Sequence, residues 1–97
     1  MKTFPELTLQ TIVQRNPKLI ANQMDGEIVM MSIDNGEYYG LDEIGSRIWE
    51  LMEMPISIAK LTDTLLVEFE VDRDECLSDT IDFLKDLQEK NLLLINE

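Results

Sequence analysis

Histidine is missing from this 97-residue chain, and that one omission removes much familiar chemistry. No imidazole general base, no Ser-His or Cys-His nucleophile pair and no His-containing zinc site can be built. Carboxylates abound, with 20 Asp and Glu against 8 Lys and Arg and a net charge of -12, but in so acidic a chain they serve mainly to solvate the surface. The single thiol, Cys76, falls in the first turn of a predicted helix, where a reactive role can be imagined. At ~100° per residue it shares a face with Thr80, Phe83 and Leu87, which makes it a small packing residue. Asp34-Asn35-Gly36 begins like a calcium loop but lacks the later ligands of that motif and reads as a turn. The expectation is a chain with no catalytic residues, no metal site and no cofactor.

The elements that position the remaining side chains follow from periodicity. Residues 1–8 carry no clear period and contain Pro5, so a mobile start is expected, with one domain over 9–97. Leu9 to Gln14 is rich in β-branched residues and predicts a strand, and Leu19 to Met24 a weaker one. Asp25-Gly26 is a turn signal before a strong strand over Glu27 to Ile33, and Asp34-Asn35-Gly36 leads into Glu37 to Leu41 as the second arm of a hairpin. At Asp42 the period becomes helical. A first helix over about 43–53 carries Ile44, Ile48, Leu51 and Met52, with Asp42 as cap and Pro55 beyond its end. Ser57 caps a second helix with the stripe Ile58, Leu61, Leu65 and Phe69, and Asp72 to Glu75 opens a third over about 73–90. Leu92 to Ile95 adds a short extended tail. Strands followed by three helices make an α+β domain.

The start Met1-Lys2-Thr3-Phe4-Pro5 has neither the apolar run of a secretory signal nor the ~20 apolar residues of a spanning helix. A cytoplasmic location is expected, and a lone cysteine agrees with a reducing compartment. The acidic balance opposes nucleic acid and anionic membrane as partners.

Two features suggest a binding surface. On the third helix Phe83, Cys76, Leu87, Thr80, Leu84, Leu77 and Ile81 fall within roughly 160°, wider than the ~100° one core face needs. Either one flank contacts something else, or the helix is wedged deeply between the hairpin and the second helix. Glu37-Tyr38-Tyr39-Gly40-Leu41 carries no Lys or Pro and offers an edge that another strand can join, with Gly40 allowing close approach. On that basis Tyr39→Pro is expected to remove an edge amide or distort the strand. Met30, Met31 and Met52 are read as core, and Trp49, about 100° round from Ile48, as a domain-edge or groove-wall residue.

The run from Gly36 through Tyr38-Tyr39, Leu41-Asp42, Gly45 and Ile48-Trp49 to Leu51 resembles the strand-to-helix segment of PqqD-like proteins. Cys76, Asp79, Phe83-Leu84, Leu87 and Leu92-Leu93 resemble their last helix and tail, and with Asp25-Gly26-Glu27 the likeness spans about residues 12 to 95. Asn91 stands where the family more often has Gly, and Asn also tolerates the left-handed conformation. Within the family the likeness is greatest to the small stand-alone proteins of lasso-peptide biosynthesis. The resemblance implies a winged-helix-like domain, a three-stranded antiparallel sheet followed by three α-helices, that performs no reaction itself. It implies a recognition element that takes the leader peptide of a ribosomal precursor as an added strand and presents it to a separate leader peptidase. Carried onto this chain, the strand is Glu37, Tyr38, Tyr39, Gly40 and Leu41, and the helical wall is Asp79, Thr80, Phe83, Leu84 and Leu87. Asp79 and Asp86 are then placed to select basic leader positions.

Two other functions share this architecture. A DNA-binding winged helix needs a basic recognition helix, but Arg73, Lys85 and Lys90 here face Asp74, Glu75, Asp79, Asp82, Asp86 and Glu89. A small acidic interaction module, an inhibitor or antitoxin-like protein, would use the same edge for a different partner. Neighbouring genes for a short precursor and a peptidase would separate it from a leader binder. The sequence leaves the oligomeric state open.

Overall fold

The computed structural model describes residues 6–17, 19–25, 27–32 and 36–96. Among these described residues six strands and three helices follow in the order β1 (Ile12–Arg15), β2 (Ile20–Met24), β3 (Glu27–Ser32), β4 (Glu37–Gly40), α1 (Glu43–Leu51), β5 (Ile56–Ser57), α2 (Ile58–Glu68), α3 (Arg73–Glu89) and β6 (Leu93–Asn96). The strands form two antiparallel three-stranded sheets, β2-β3-β4 and β5-β1-β6. The expected α+β class with three helices holds. The expected single sheet becomes two, because the tail over 93–96 pairs along β1 and the two-residue strand Ile56–Ser57 joins its other edge.

Each helix starts where a short side chain can satisfy free amides of the first turn. Asp42 accepts from Gly45 N–H, Ser57 from Lys60 N–H and Asp72 from Glu75 N–H. The end of α3 is closed by the left-handed Asn91 (φ 61). Leu92 N–H donates to Leu87 O at 2.9 Å and Asn91 N–H to Gln88 O at 3.2 Å, the paired bonds that turn a helix end into the next segment. That turn drops Leu92 and Leu93 into the core and aims β6 at β1.

One apolar core runs through both sheets and all three helices, with Val13, Met30, Met52, Ile58, Leu61 and Leu84 at zero exposure. Trp49 belongs to it, at 1 % exposure, and not to a domain edge, although it also lines a depression with Gln14, Arg15 and Glu53. Arg15 lies 5.7 Å from the centre of its ring and donates to the Trp49 carbonyl, so a strand distant in sequence covers the flank that helical spacing left open. Leu7 is buried too, and the packed chain begins ahead of the expected boundary at residue 9. Residues 1–5 of the expected mobile start lie outside the described residues, as do Ile33, Asp34 and Asn35 of the hairpin.

Candidate functional site

The sheet β2-β3-β4 ends on β4, and the phase of the β3-β4 ladder decides which of its groups face outward. Leu41 N–H donates to Ile28 O at 2.9 Å, and the register continues Gly40 to Val29, Tyr39 to Met30, Tyr38 to Met31 and Glu37 to Ser32. Hydrogen-bonded and non-hydrogen-bonded pairs alternate in an antiparallel ladder. Tyr39 and Glu37 therefore direct their main-chain groups inward to β3, and Tyr38 and Gly40 direct theirs to the open edge. This corrects the expectation that Tyr39 supplies an edge amide. A methyl group built on Gly40 meets nothing within 4 Å, so another backbone has room to approach there.

Side chains alternate in the opposite sense. Tyr39 and Leu41 point to the core side, half-buried and buried, and Tyr38 is 74 % exposed. Helix α3 runs beside this face. It packs on α2, buries Cys76, Thr80, Leu84, Leu87 and Gln88, and leaves Phe83 half-buried beside β4. Between strand and helix lies a cleft of about 430 Å³ with Met30, Leu41, Phe83, Leu87 and Leu92 along it and Tyr38, Tyr39, Gly40, Asp42, Asp86 and Lys90 at its borders. Phe83 also explains Gly45: a Cβ there would lie 3.4 Å from the Phe83 ring and 3.0 Å from the Asp42 carboxylate.

One ion pair stands at the cleft, beside the Asp42 carboxylate that caps α1. Lys90 Nζ bonds Asp86 Oδ2 at 2.6 Å and lies 5.1 Å from the Tyr39 ring centre. The hydrogen bond to Asp86 is the main cause that raises the Lys90 pKa above its ordinary value, with smaller contributions from Asp86, Tyr39 and Glu37 charge. The Tyr39 hydroxyl donates to Glu37 Oε2 at 3.3 Å.

Of the residues expected to form a peptide site, Tyr38, Tyr39, Gly40, Leu41, Phe83, Asp86 and Leu87 surround this one cleft. Glu37 borders it through its bond with Tyr39. Leu84, at 0 % exposure, points into the core behind the cleft, and Thr80, at 2 %, is buried where it borders a separate depression. Asp79 lies a turn earlier on α3, beside a separate depression. Met30, Asp42, Lys90 and Leu92 join the cleft without having been expected there. The i, i+4 spacing of Asp86 and Lys90 was the available signal for one of them.

The cleft offers open main-chain groups, an apolar floor and a neutralised ion pair, a set suited to holding an extended chain. Cys76 is buried. Among the described residues no group of three or more His, Cys, Asp and Glu is placed to hold a metal ion, and no helix is long and apolar enough to cross a membrane.

Comparison with known proteins gives a concordant picture. Residues 27–93 match the family described as coenzyme PQQ synthesis protein D (PqqD). A solved structure of TbiB1 in complex with the TbiA(β) leader peptide superposes with a TM-score of 0.76 at 35 % identity, covering 82 % of this chain and 93 % of that one. A lasso peptide synthetase B1 complexed with the leader peptide gives a TM-score of 0.74 at 24 % identity, over 84 % and 96 % of the two chains, and supports the fold alone. No curated protein sequence matches the chain.

Proposed function

This chain belongs to the PqqD family, and from that premise we propose that it is a recognition element for the leader of a ribosomally made lasso-peptide precursor. The leader joins the sheet as a strand beside β4, bonded to the outward main-chain groups of Tyr38 and Gly40. Its inward side chains rest in the cleft between β4 and α3. Main-chain pairing supplies affinity that tolerates sequence change, and apolar anchors over Phe83, Leu87 and Leu92 supply selectivity. The observation that carries the proposal is the open edge lying directly along an apolar cleft, supported by the leader complex of the 35 % identical TbiB1.

The chain acts by binding and not by catalysis. It works in the cytoplasm, holds the precursor and presents it to a separate leader peptidase. Thr80 and Leu84 support Phe83 and Leu87 from behind, and Asp79 meets the leader only where it extends past Asp42.

The test is a titration of the purified protein with the fluorescein-labelled synthetic leader of the precursor encoded beside it, read by anisotropy. Saturable binding at micromolar or tighter Kd is expected. Its absence would overturn the proposal and favour a different protein partner for the β4 edge.

A further inference from the structure

A second depression, about 240 Å³, lies between the first turn of α1, the end of α2 and the first two turns of α3. Its apolar surface comes from Ile44, Phe69, Val71 and Cys76, and Ile44 and Val71 are 38 % and 40 % exposed. Four carboxylates stand around it, Glu70, Asp72, Glu75 and Asp79; Asp72 is committed to capping α3 through Glu75 N–H, which leaves Glu70, Glu75 and Asp79. The ion pairs among the described residues join Arg15 to Glu53, Arg47 to Glu68, Arg73 to Asp63 and Lys90 to Asp86, so none of them engages these three. The β4 cleft is less acidic, since Lys90 there pairs with Asp86 and Asp42 is committed to capping α1 through Gly45 N–H.

The two depressions lie along one helix. Residues 75, 76, 79 and 80 border the second and residues 83, 86, 87 and 90 the first. Phe83, against Gly45, stands between them. Nine helical positions separate their centres, which is about 13 Å at 1.5 Å per residue. An extended chain covers that distance in about four residues, an even number that returns its side chain to the same face.

We propose that the second depression takes another apolar side chain of the same bound peptide, about four residues from the one over the first cleft. A Lys or Arg within two residues of that anchor is held by Glu70, Glu75 and Asp79. The inference rests on strand addition at β4 and adds a recognition rule to it: two apolar anchors, with cationic preference at one end only. Continuity along α3 and the uncompensated acidic border select this occupant.

A displayed library of random peptides about twelve residues long, enough for some 40 Å of strand, tests the rule. It is panned against the wild type, Tyr38→Pro, Ile44→Asp and the combined Glu70→Gln, Glu75→Gln, Asp79→Asn variant, each checked for folding by circular dichroism. Wild type is expected to enrich paired apolar residues four apart with Lys or Arg beside one. The combined variant should lose the basic preference and keep both apolar positions, and Ile44→Asp should lose one of them. For the best wild-type peptide at low salt, the combined variant should bind about fivefold to tenfold more weakly. Peptides that depend on the Tyr38 amide but show no basic preference, with less than a twofold change in the combined variant, would overturn this inference and leave the β4 groove standing. Enriched peptides indifferent to Tyr38→Pro would overturn strand addition itself. Basic peptides that need the three carboxylates but not Tyr38 would show a separate partner at this depression and overturn the shared occupant.

Discussion

Replacing Tyr38 with proline tests the ladder phase and the binding mode together. The amide of Tyr38 faces the open edge, so its loss removes no bond to β3, and an edge strand tolerates proline at such a position. A bound leader would lose the bond from that amide, and its own carbonyl would be left without a donor in a partly closed groove. The first loss is worth about 0.5 to 1.5 kcal/mol and the second raises the total to about 1 to 3 kcal/mol. That is roughly a 5- to 150-fold weaker Kd. Because Tyr38 is 74 % exposed, Tyr38→Ala isolates the side-chain contribution, and the comparison between Ala and Pro variants reads the amide. Tyr39→Pro is the internal contrast, since its amide points to Met30 and its loss should cost more than about 1 kcal/mol of folding stability. Anisotropy with labelled leader measures binding. Urea unfolding followed by the emission of the single, buried Trp49 measures stability. Equal leader affinity of folded Tyr38→Pro and Tyr38→Ala would refute strand addition through that amide. Equal destabilisation by Pro at 38 and 39 would refute the ladder phase.

Other consequences are accessible to the same assays. Phe83→Ala should weaken leader binding and lower stability by about 2 kcal/mol, less than the ~3 to 5 kcal/mol of a fully buried Phe, because Phe83 is only half-buried; urea midpoints give the value. The bidentate contact of Arg47 with Glu68 joins α1 to α2 at 2.7 and 2.8 Å and lowers the Glu68 pKa, chiefly through the hydrogen bond. A carboxylate with a depressed folded pKa stabilises above its ordinary value and loses that contribution as pH falls through the folded one. The stability gap between wild type and Glu68→Gln should therefore be present near neutral pH and close in acid. The raised Lys90 pKa has the opposite sign: its contribution is complete below the ordinary lysine value and is lost only as pH rises through the higher folded value. Leader affinities of wild type and Lys90→Met should differ by a constant factor between about pH 6 and 9.

What the sequence reveals here is what short-range physics decides. All three caps, Asp42, Ser57 and Asp72, act on amides three residues away, and each could be placed from spacing alone. The left-handed Asn91 is equally local. Long-range pairing was not legible: nothing in Ile56-Ser57 marks a strand, and only contact with β1 makes it one. The depth of Trp49 was not legible because angular position within α1 carries no information about Arg15 above its ring. The breadth of the apolar arc on α3 was visible, but its division was not. Thr80 and Leu84 face inward and Phe83 faces the cleft because of what lies on either side of the helix. The edge amides were hardest of all, since one hydrogen bond at Leu41 sets the phase for the whole strand.

The β1-β6 ladder joins Ile12 to Asn96 and Arg15 to Leu93, segments that stand almost a whole chain length apart. Closing so long a loop costs conformational entropy before any contact compensates for it, so this ladder belongs to the late part of folding. Leu92, at the base of the cleft, immediately precedes β6. The cleft is thus completed only when β1 and β6 are paired. In native-state hydrogen exchange, amides of β1 and β6 should open together in the global transition, and an added leader should slow both, although it touches neither strand.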